Sequence, residues 1–147
     1  MKNLFSASDT REILDRVEKI TPLANRQWGK MDVAQMLAHC SACMEMANGT
    51  LKPKRALIGK LIGGFFKAQY TNDKPFSPGS PTSAETEIKG QHDFNIEKQK
   101  LIGLIRQFSE SKSATTHPHP FFGSFTADEW SRGMYKHIDH HLRQFGA

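Results

Sequence analysis

Apolar residues recur at helical spacing in four separate stretches of the chain, which predicts four amphipathic helices. The first stretch starts near Ser8 or Asp9, where Asp9 and Glu12 have capping-box spacing, and stops before Pro22. The second follows Asp32, a residue type that caps helix N-termini, and stops at Gly49, a residue type that favours helix C-termini. The first half of the chain therefore contains two predicted helices joined by a short polar link.

The second half of the chain has the same organisation. A third stretch with helical spacing covers residues 94–111, and a fourth begins after Thr126, with Glu129 at capping-box spacing. We find no convincing strand pattern and no internal repeat. The sequence thus predicts an all-α fold, a four-helix bundle in a single domain over residues 1–147, with a short extra helical insert between helices two and three.

The insert runs from Pro53 to Tyr70 and is both basic and rich in glycine. We expect Leu57, Leu61 and Phe65 to pack over the bundle; the alternative is a surface helix that touches lipid. The following residues 71–83 are rich in Pro, Ser and Gly, which is typical of a loop.

The excess of positive charge is local to the insert. The chain carries 20 basic and 15 acidic residues, and five of the basic ones lie in the insert and just before it, in a stretch without Asp or Glu. This footprint is too narrow to indicate nucleic-acid binding. No apolar run is long enough for a membrane span or a signal peptide, so we expect a cytoplasmic protein without nucleic-acid or membrane partners.

Two histidines lie within the apolar face of the fourth helix. His137 and His141 are four residues apart, which places their rings side by side on one face, next to Trp130, Met134 and Ile138. Two imidazoles in this arrangement can bind one metal ion. The alternative is a pair of core histidines satisfied by hydrogen bonds.

A three-histidine site needs a further imidazole from a helix that packs against the fourth one. His39 is the best candidate, because it lies mid-helix at the edge of the apolar face of helix two. Three protein ligands leave open positions for water or substrate, as in catalytic metal sites. Imidazole ligands suit a divalent transition metal such as Zn, Ni, Cu or Fe, and the ligand type does not choose among these. We expect Zn or Ni first.

Other residues could contribute to the site. His140 could replace His141, although it points toward the polar face of its helix. Cys40 and Cys43 have the spacing of a redox or zinc motif but are better interpreted as small buried residues, with Cys43 lining the site. His119 lies in a Pro-rich loop and could support a ligand or shuttle protons without binding the metal.

Two blocks of the sequence resemble the DinB-like superfamily of metalloenzymes. The block from Trp28 to His39 is similar to the second-helix pattern of that superfamily, and the block from His137 to Gln144 is similar to its fourth-helix pattern. The block His119-Pro-Phe-Phe-Gly resembles a branch whose function is unassigned. The resemblance spans nearly the whole chain.

The resemblance has specific implications. It assigns His39, His137 and His141 as metal ligands between helices two and four of a four-helix bundle, and it implies a homodimer. It also implies a small-molecule substrate and a low-molecular-weight thiol, because characterised members of the superfamily are thiol-dependent transferases and isomerases, and others are hydrolases.

Three functions are compatible with these observations. The first is a divalent-metal-dependent enzyme, a thiol-dependent transferase or a hydrolase acting on a small molecule. The second is a metal-binding stress or carrier protein without catalysis, in which Cys43 or His119 closes the coordination sphere. The third is an interaction module that uses the basic insert against an anionic surface.

Overall fold

The computed structural model describes residues 1–79 and 86–147, and five α-helices form its framework. These helices are α1 (Ala7–Lys19), α2 (Val33–Asn48), α3 (Leu57–Thr71), α4 (Phe94–Ser111) and α5 (Ala127–Gln144). The described residues contain no β-strand, only an isolated bridge between His119 and Gly123. The predicted all-α bundle is confirmed, and α3 is the predicted extra helix.

Local capping interactions fix where the two site-bearing helices begin. Asp32 and Gln35 form a complete capping box at α2, and Thr126 and Glu129 form another at α5. In each, the two side chains satisfy backbone N–H groups that a helix start leaves without partners. Gly49 ends α2 in the left-handed conformation, with φ of 82°, which favours glycine.

The first helix begins at Ala7, one or two residues earlier than the sequence predicts. Ser6 caps α1 by accepting a hydrogen bond from the Asp9 backbone N–H. Glu12, the predicted capping-box partner, is used elsewhere: it accepts hydrogen bonds from Lys2 and from the hydroxyl of Tyr135 in α5. The capping-box prediction for α1 is therefore wrong, because the helix begins at Ala7 and Asp9 lies inside its first turn, where it cannot act as the N-cap.

The core lies between α1, α2, α4 and α5. Helix α2 packs against both α4 and α5, and α1 packs against the same two helices from the other side. The largest side chains with less than 2 % exposure come from these four helices and the N-terminal segment: Trp130, Phe108, Leu4, Ile13, Met36, Leu37, Met44, Leu101, Ile105, Met134, Ile138 and Leu142. The central position of α2 explains why most of its residues are buried.

Helix α3 lies outside this core and faces it with glycines. A Cβ atom added to Gly63 would lie 1.9 Å from the backbone oxygen of Phe121, and one added to Gly59 would lie 2.6 Å from the same atom. The larger residues point away from the bundle: Leu57, Leu61 and Phe65 are exposed. The prediction that these three residues pack over the bundle is wrong, since the loop backbone comes too close for a side chain.

The polar face of α5 is also less exposed than its sequence suggests. Lys136 and Asp139 are both buried. Arg16 of α1 donates to Asp139 at 2.7 Å, and the Lys136 ammonium donates to the backbone oxygens of Gln69 and Asn72 at the end of α3. Charged partners and carbonyl groups from α1 and α3 thus cover α5 on the side away from the histidines.

Two further expectations concern the surface and the loops. Within the described ranges, no helix has the length and apolar character needed to cross a bilayer. Of the predicted loop over residues 71–83, Thr71 ends α3 and the part up to residue 79 is non-helical, whereas residues 80–83 lie outside the described residues.

Candidate metal centre

Three histidine side chains meet between α2 and α5. His39 comes from the middle of α2, and His137 and His141 come from adjacent turns of α5. The ring centroids of His39 and His137 are 5.0 Å apart, those of His39 and His141 are 4.8 Å apart, and those of His137 and His141 are 4.7 Å apart. The structure therefore brings together all three residues that the sequence singled out.

A backbone carbonyl fixes the proton position on His39. The Nδ1 atom of this buried residue lies 2.8 Å from the carbonyl oxygen of Thr86. Because a carbonyl oxygen only accepts, Nδ1 carries the proton and donates it. The Nε2 atom of His39 then presents its lone pair to the centre of the cluster, as a metal ligand requires.

A glutamine plays the same part for His141. The Nδ1 atom of His141 lies 2.8 Å from Oε1 of Gln144, and Nε2 of Gln144 donates to the carbonyl oxygen of Trp28 at 2.8 Å. The second contact sets the orientation of the amide, so that Oε1 accepts from the imidazole. His141 is therefore held with its proton on Nδ1 and its Nε2 without one.

His137 has no such fixed partner. Its Nε2 lies 3.1 Å from Nε2 of His39, whereas its buried Nδ1 has no hydrogen-bond partner among the described residues. His137 as a whole is partly exposed, although its Nδ1 atom is buried. Since Nδ1 holds no hydrogen bond, the His137 proton can move from Nε2 to Nδ1, which would leave the Nε2 lone pair available to a cation.

All three imidazoles are held neutral. Burial lowers the pKa of His39, and the hydrogen bond to Thr86 opposes this only in part. Burial, followed by the charges of the neighbouring histidines, lowers the pKa of His137 well below its usual range. Burial and His39 lower that of His141 to about 3. A divalent cation consequently meets little competition from protons at neutral pH.

The spacing of the donors fits a shared ion. Two imidazole nitrogens bound to one tetrahedral zinc at about 2.0–2.1 Å are separated by roughly 3.3 Å. The observed separation of 3.1 Å between Nε2 of His39 and Nε2 of His137 is close to this value. The residues present therefore suit a divalent transition metal in both donor type and distance.

A cysteine lies beside the same two nitrogens. The Sγ atom of Cys43 is 3.9 Å from Nε2 of His137, and donor atoms of Cys43, His39 and His137 all lie within 4.8 Å of one another. This donor set contains Cys43 in place of His141, whereas the ring positions favour the three histidines. We favour the histidines, because the ring of His141 lies 4.8 and 4.7 Å from those of His39 and His137. The Cys43 thiol, whose pKa burial raises to about 12, would in addition have to lose a proton to bind an ion.

The remaining candidates have other surroundings. Cys40 is a free, buried thiol that hydrogen-bonds with the sulfur of Met36, away from the imidazoles. His140 packs against the rings of Trp28 and Phe76. In this arrangement neither residue forms part of the donor cluster found among the described residues.

His119 lies in an aromatic cluster beside α5. Its ring contacts those of Trp130, Tyr70 and Phe122, and its Nδ1 accepts hydrogen bonds from the backbone N–H groups of Phe121 and Phe122. No hydrogen bond or ring contact in the described part of the chain joins His119 to the three clustered imidazoles. Its role in supporting a ligand or moving a proton stays a prediction.

The sequence did not reveal two groups that position the ligands. The carbonyl oxygen of Thr86 is a backbone atom in a loop, so no residue type signals its role. Gln144 has a detectable signal, because it follows His141 by three residues on the same helix, within reach of its ring.

Comparison with known families gives a match over nearly the full length of the chain. Residues 3–147 match a family described as "Protein of unknown function (DUF1569)". The chain belongs to this family. No curated protein and no solved structure matches the chain.

The DUF1569 match corrects the assignment to the DinB-like superfamily. That assignment is wrong, because the family that covers residues 3–147 is a distinct one. Ligands from facing helices are a common arrangement in the metal sites of helical bundles, so short histidine blocks of this kind do not separate one family from another. Because the family is described only as one of unknown function, membership in it does not support the transferase, isomerase or hydrolase activities that the resemblance implied.

Proposed function

We propose that this protein is a divalent-metal-dependent enzyme in which His39, His137 and His141 hold the ion. The observation that carries the proposal is the convergence of three neutral imidazoles, with Nε2 of His39 and Nε2 of His137 3.1 Å apart. Without an ion, Nε2–H of His137 donates to the lone pair of His39 Nε2; with the His137 proton on its unpartnered Nδ1 instead, both Nε2 lone pairs would face one point. A shared cation gives both lone pairs a partner.

The chemistry follows from the number and charge of the ligands. Three protein ligands leave room for an exogenous one, and a divalent cation lowers the pKa of a bound water or thiol, which supplies a nucleophile near neutral pH. The reaction proposed is therefore hydrolysis, or transfer to a low-molecular-weight thiol, of a small-molecule substrate. Since no ligand carries negative charge, the site keeps the full charge of the ion and favours an anionic nucleophile.

The residues around the ligands would set the orientation of the reacting groups. Thr86 and Gln144 hold His39 and His141 in the tautomer that exposes Nε2. His137 is the partly exposed member of the three, so a substrate would approach from its side. The neutral thiol of Cys43 would line this approach without binding the ion.

A second candidate function is metal carriage without catalysis. It is favoured by the 3.9 Å distance between Sγ of Cys43 and Nε2 of His137, because a fourth protein ligand would close the coordination sphere. The two candidates differ in one measurable property. An enzyme site exchanges a water or thiol at the ion, and a closed carrier site does not.

The test starts with metal-free protein titrated with Zn²⁺, Ni²⁺ and Co²⁺, and with the visible spectrum of the Co²⁺ form. We expect one ion per chain and a spectrum that changes when a small thiol is added. His137→Ala should abolish stoichiometric binding while the helical circular dichroism persists. His140→Ala is the matched control, since it removes the adjacent imidazole outside the cluster and should leave binding intact.

Activity is measured on the same preparations, with ester and amide substrates for hydrolysis and with a model electrophile plus thiol for transfer. Turnover that requires both the metal and His137 supports the enzyme. If the ion is tightly bound, its spectrum does not change when a thiol is added, and no turnover is detected, the carrier function is assigned instead. Retention of metal by His137→Ala would remove the basis of both proposals.

A further inference from the structure

Helix α3 turns its apolar side toward solvent, whereas an ordinary surface helix turns that side toward the protein. Its small residues Gly59 and Gly63 face the protein, whereas Leu57, Leu61 and Phe65 on the outer side are 79 %, 79 % and 84 % exposed. Amphipathic helices normally bury their apolar face and present polar residues to water. Helix α3 therefore carries an apolar face that the rest of the described chain does not cover.

The exposed apolar residues are concentrated on this one helix. Nine large hydrophobic residues are exposed among those described, and six of them belong to α3. They are Leu57, Ile58, Leu61, Ile62, Phe65 and Phe66. Single exposed apolar residues are common on soluble proteins, but a contiguous group marks a surface that binds something.

Uncompensated positive charge surrounds the same face. No Asp or Glu occurs between Glu45 and Asp73, and Lys54 and Lys60 are exposed and form no ion pair with the described residues. Two other cations of α3 and its approach are used internally. Lys67 pairs with Glu129 at 2.9 Å, and Arg55 donates to the backbone oxygen of Gly59.

We propose that the outer face of α3 binds the surface of an anionic lipid bilayer. In this arrangement α3 lies parallel to the membrane, its Leu and Phe side chains enter the boundary between headgroups and acyl chains, and Lys54 and Lys60 contact lipid phosphates. This conclusion departs from the expectation, drawn from the sequence alone, that the protein has no membrane partner. That expectation assumed that Leu57, Leu61 and Phe65 were covered.

The charge pattern favours lipid over a second copy of the chain. A twofold-symmetric contact through α3 would place the same lysines of both copies at one interface, and this segment offers no carboxylate to oppose them. An anionic bilayer supplies the opposite charge and an apolar layer at once. It also matches a single convex helix, which needs no complementary groove.

The test is flotation of the full chain with vesicles of two compositions. One contains equal parts of phosphatidylglycerol and phosphatidylcholine, and the other contains phosphatidylcholine only. We expect the protein to float with the anionic vesicles, with weaker binding to the neutral ones and at high salt. Light scattering without vesicles establishes the oligomeric state of the same sample.

Paired variants identify the surface. Leu61→Ser with Phe65→Ser should weaken binding on the order of a hundredfold, because two large apolar side chains lose their contact with lipid. Lys54→Gln with Lys60→Gln should weaken it about tenfold or more. The controls Leu23→Ser with Ile96→Ser, and Lys19→Gln with Lys30→Gln, change exposed residues of the same types elsewhere and should have no effect.

Two results would overturn the proposal: absence of flotation with anionic vesicles, or flotation that the Leu61 and Phe65 changes leave intact. If the protein does not bind vesicles but forms a dimer that these same changes dissociate, the α3 face binds a second copy of the chain instead. All four substitutions in the test pairs are at exposed positions, so circular dichroism should confirm that the bundle stays folded. The experiment needs no metal and is independent of the proposed enzyme function.

Discussion

The Nε2 atoms of His39 and His137 lie 3.1 Å apart, although 98 positions separate the two residues in the chain. One belongs to α2 and the other to α5, so the distance depends on how these helices pack. Trp130, Met134 and Ile138 are almost fully buried on the same helix as His137. The core thus fixes the spacing of the donors before any ion binds, which reduces the entropic cost of assembling the site.

The amide of Gln144 should control metal affinity without binding the metal. Gln144→Ala removes the acceptor that holds the Nδ1 proton of His141, so the ring loses its preferred tautomer and orientation. We expect a loss of about 10–100-fold in metal affinity, measured by competition with a chelator of known affinity. Gln99→Ala, at an exposed position of α4, should leave affinity unchanged. Unaltered affinity in Gln144→Ala would show that His141 is not a ligand.

Replacing Cys43 separates the two donor sets. If three histidines hold the ion, Cys43→Ala should change metal affinity by less than about tenfold, because the ligand set is then complete without the thiol. Cys40→Ala is the matched control, since it removes the same volume from the same helix away from the imidazoles. A large loss in Cys43→Ala alone, together with loss of a sulfur-to-metal band in the Co²⁺ spectrum, would favour the closed site.

Acid should destabilise the metal-free protein through its buried histidines. Burial, helped by the charge of Arg55, lowers the pKa of His119 to about 4 in the folded state. Between pH 6.5 and 4 the unfolded chain therefore binds a proton that the folded chain does not, so the free energy of unfolding falls as pH falls through this window. The contribution of His119 is about 3 kcal/mol over the full window.

This prediction is measured by urea unfolding in the presence of a chelator at a series of pH values. His119→Asn provides the test variant, because its Oδ1 can accept the same backbone hydrogen bonds but does not titrate. The variant should lose less stability on acidification than the parent. His92→Gln should behave oppositely as pH falls toward 6.5, since the hydrogen bond to Glu97 raises the pKa of His92 and the folded state gains stability from its protonation between that raised pKa and 6.5. Equal pH profiles for His119→Asn and the parent would contradict the prediction.

Adjacent glycines of α3 should respond in opposite ways to alanine. A Cβ at position 63 would lie 1.9 Å from the backbone oxygen of Phe121, so Gly63→Ala must displace the helix or the loop and should cost about 1–3 kcal/mol. A Cβ at position 64 meets nothing within 4 Å, so Gly64→Ala should be neutral or stabilise by up to about 1 kcal/mol through helix propensity. Thermal and urea unfolding measure both effects, and equal effects would show that α3 is not packed against the loop.

Much of the helical framework could be predicted because its signals are local. Asp32 with Gln35 and Thr126 with Glu129 mark the starts of α2 and α5 within four residues of sequence, and the structure forms both capping boxes. The same local logic failed at Glu12, which binds Lys2 and Tyr135 instead of capping α1. The box at Asp9 and Glu12 does not form because Ser6 caps α1 further upstream, whereas Glu129 pairs with Lys67 and still completes its box.

The site could be predicted in part for the same reason. Helical period alone places His137 and His141 side by side, and the apolar edge of α2 indicates His39. The period does not reveal which loop carbonyl will hold His39, because Thr86 contributes a backbone atom from a distant segment. Nor does it reveal that α3 turns its glycines inward, since this depends on how closely the Phe121 backbone approaches.

The close approach of Gly63 to Phe121 has a mechanical consequence. No side-chain atoms lie between the helix and the loop at this point, so their backbones are in direct contact. Any shift of α3 toward the loop must therefore displace the loop as well. The next contacts along that route are the ring of His119 on Trp130, at the first turn of the helix that bears His137 and His141. A displacement of α3 would therefore be passed through the Phe121 loop and His119 to the first turn of α5, the helix that bears two of the clustered imidazoles.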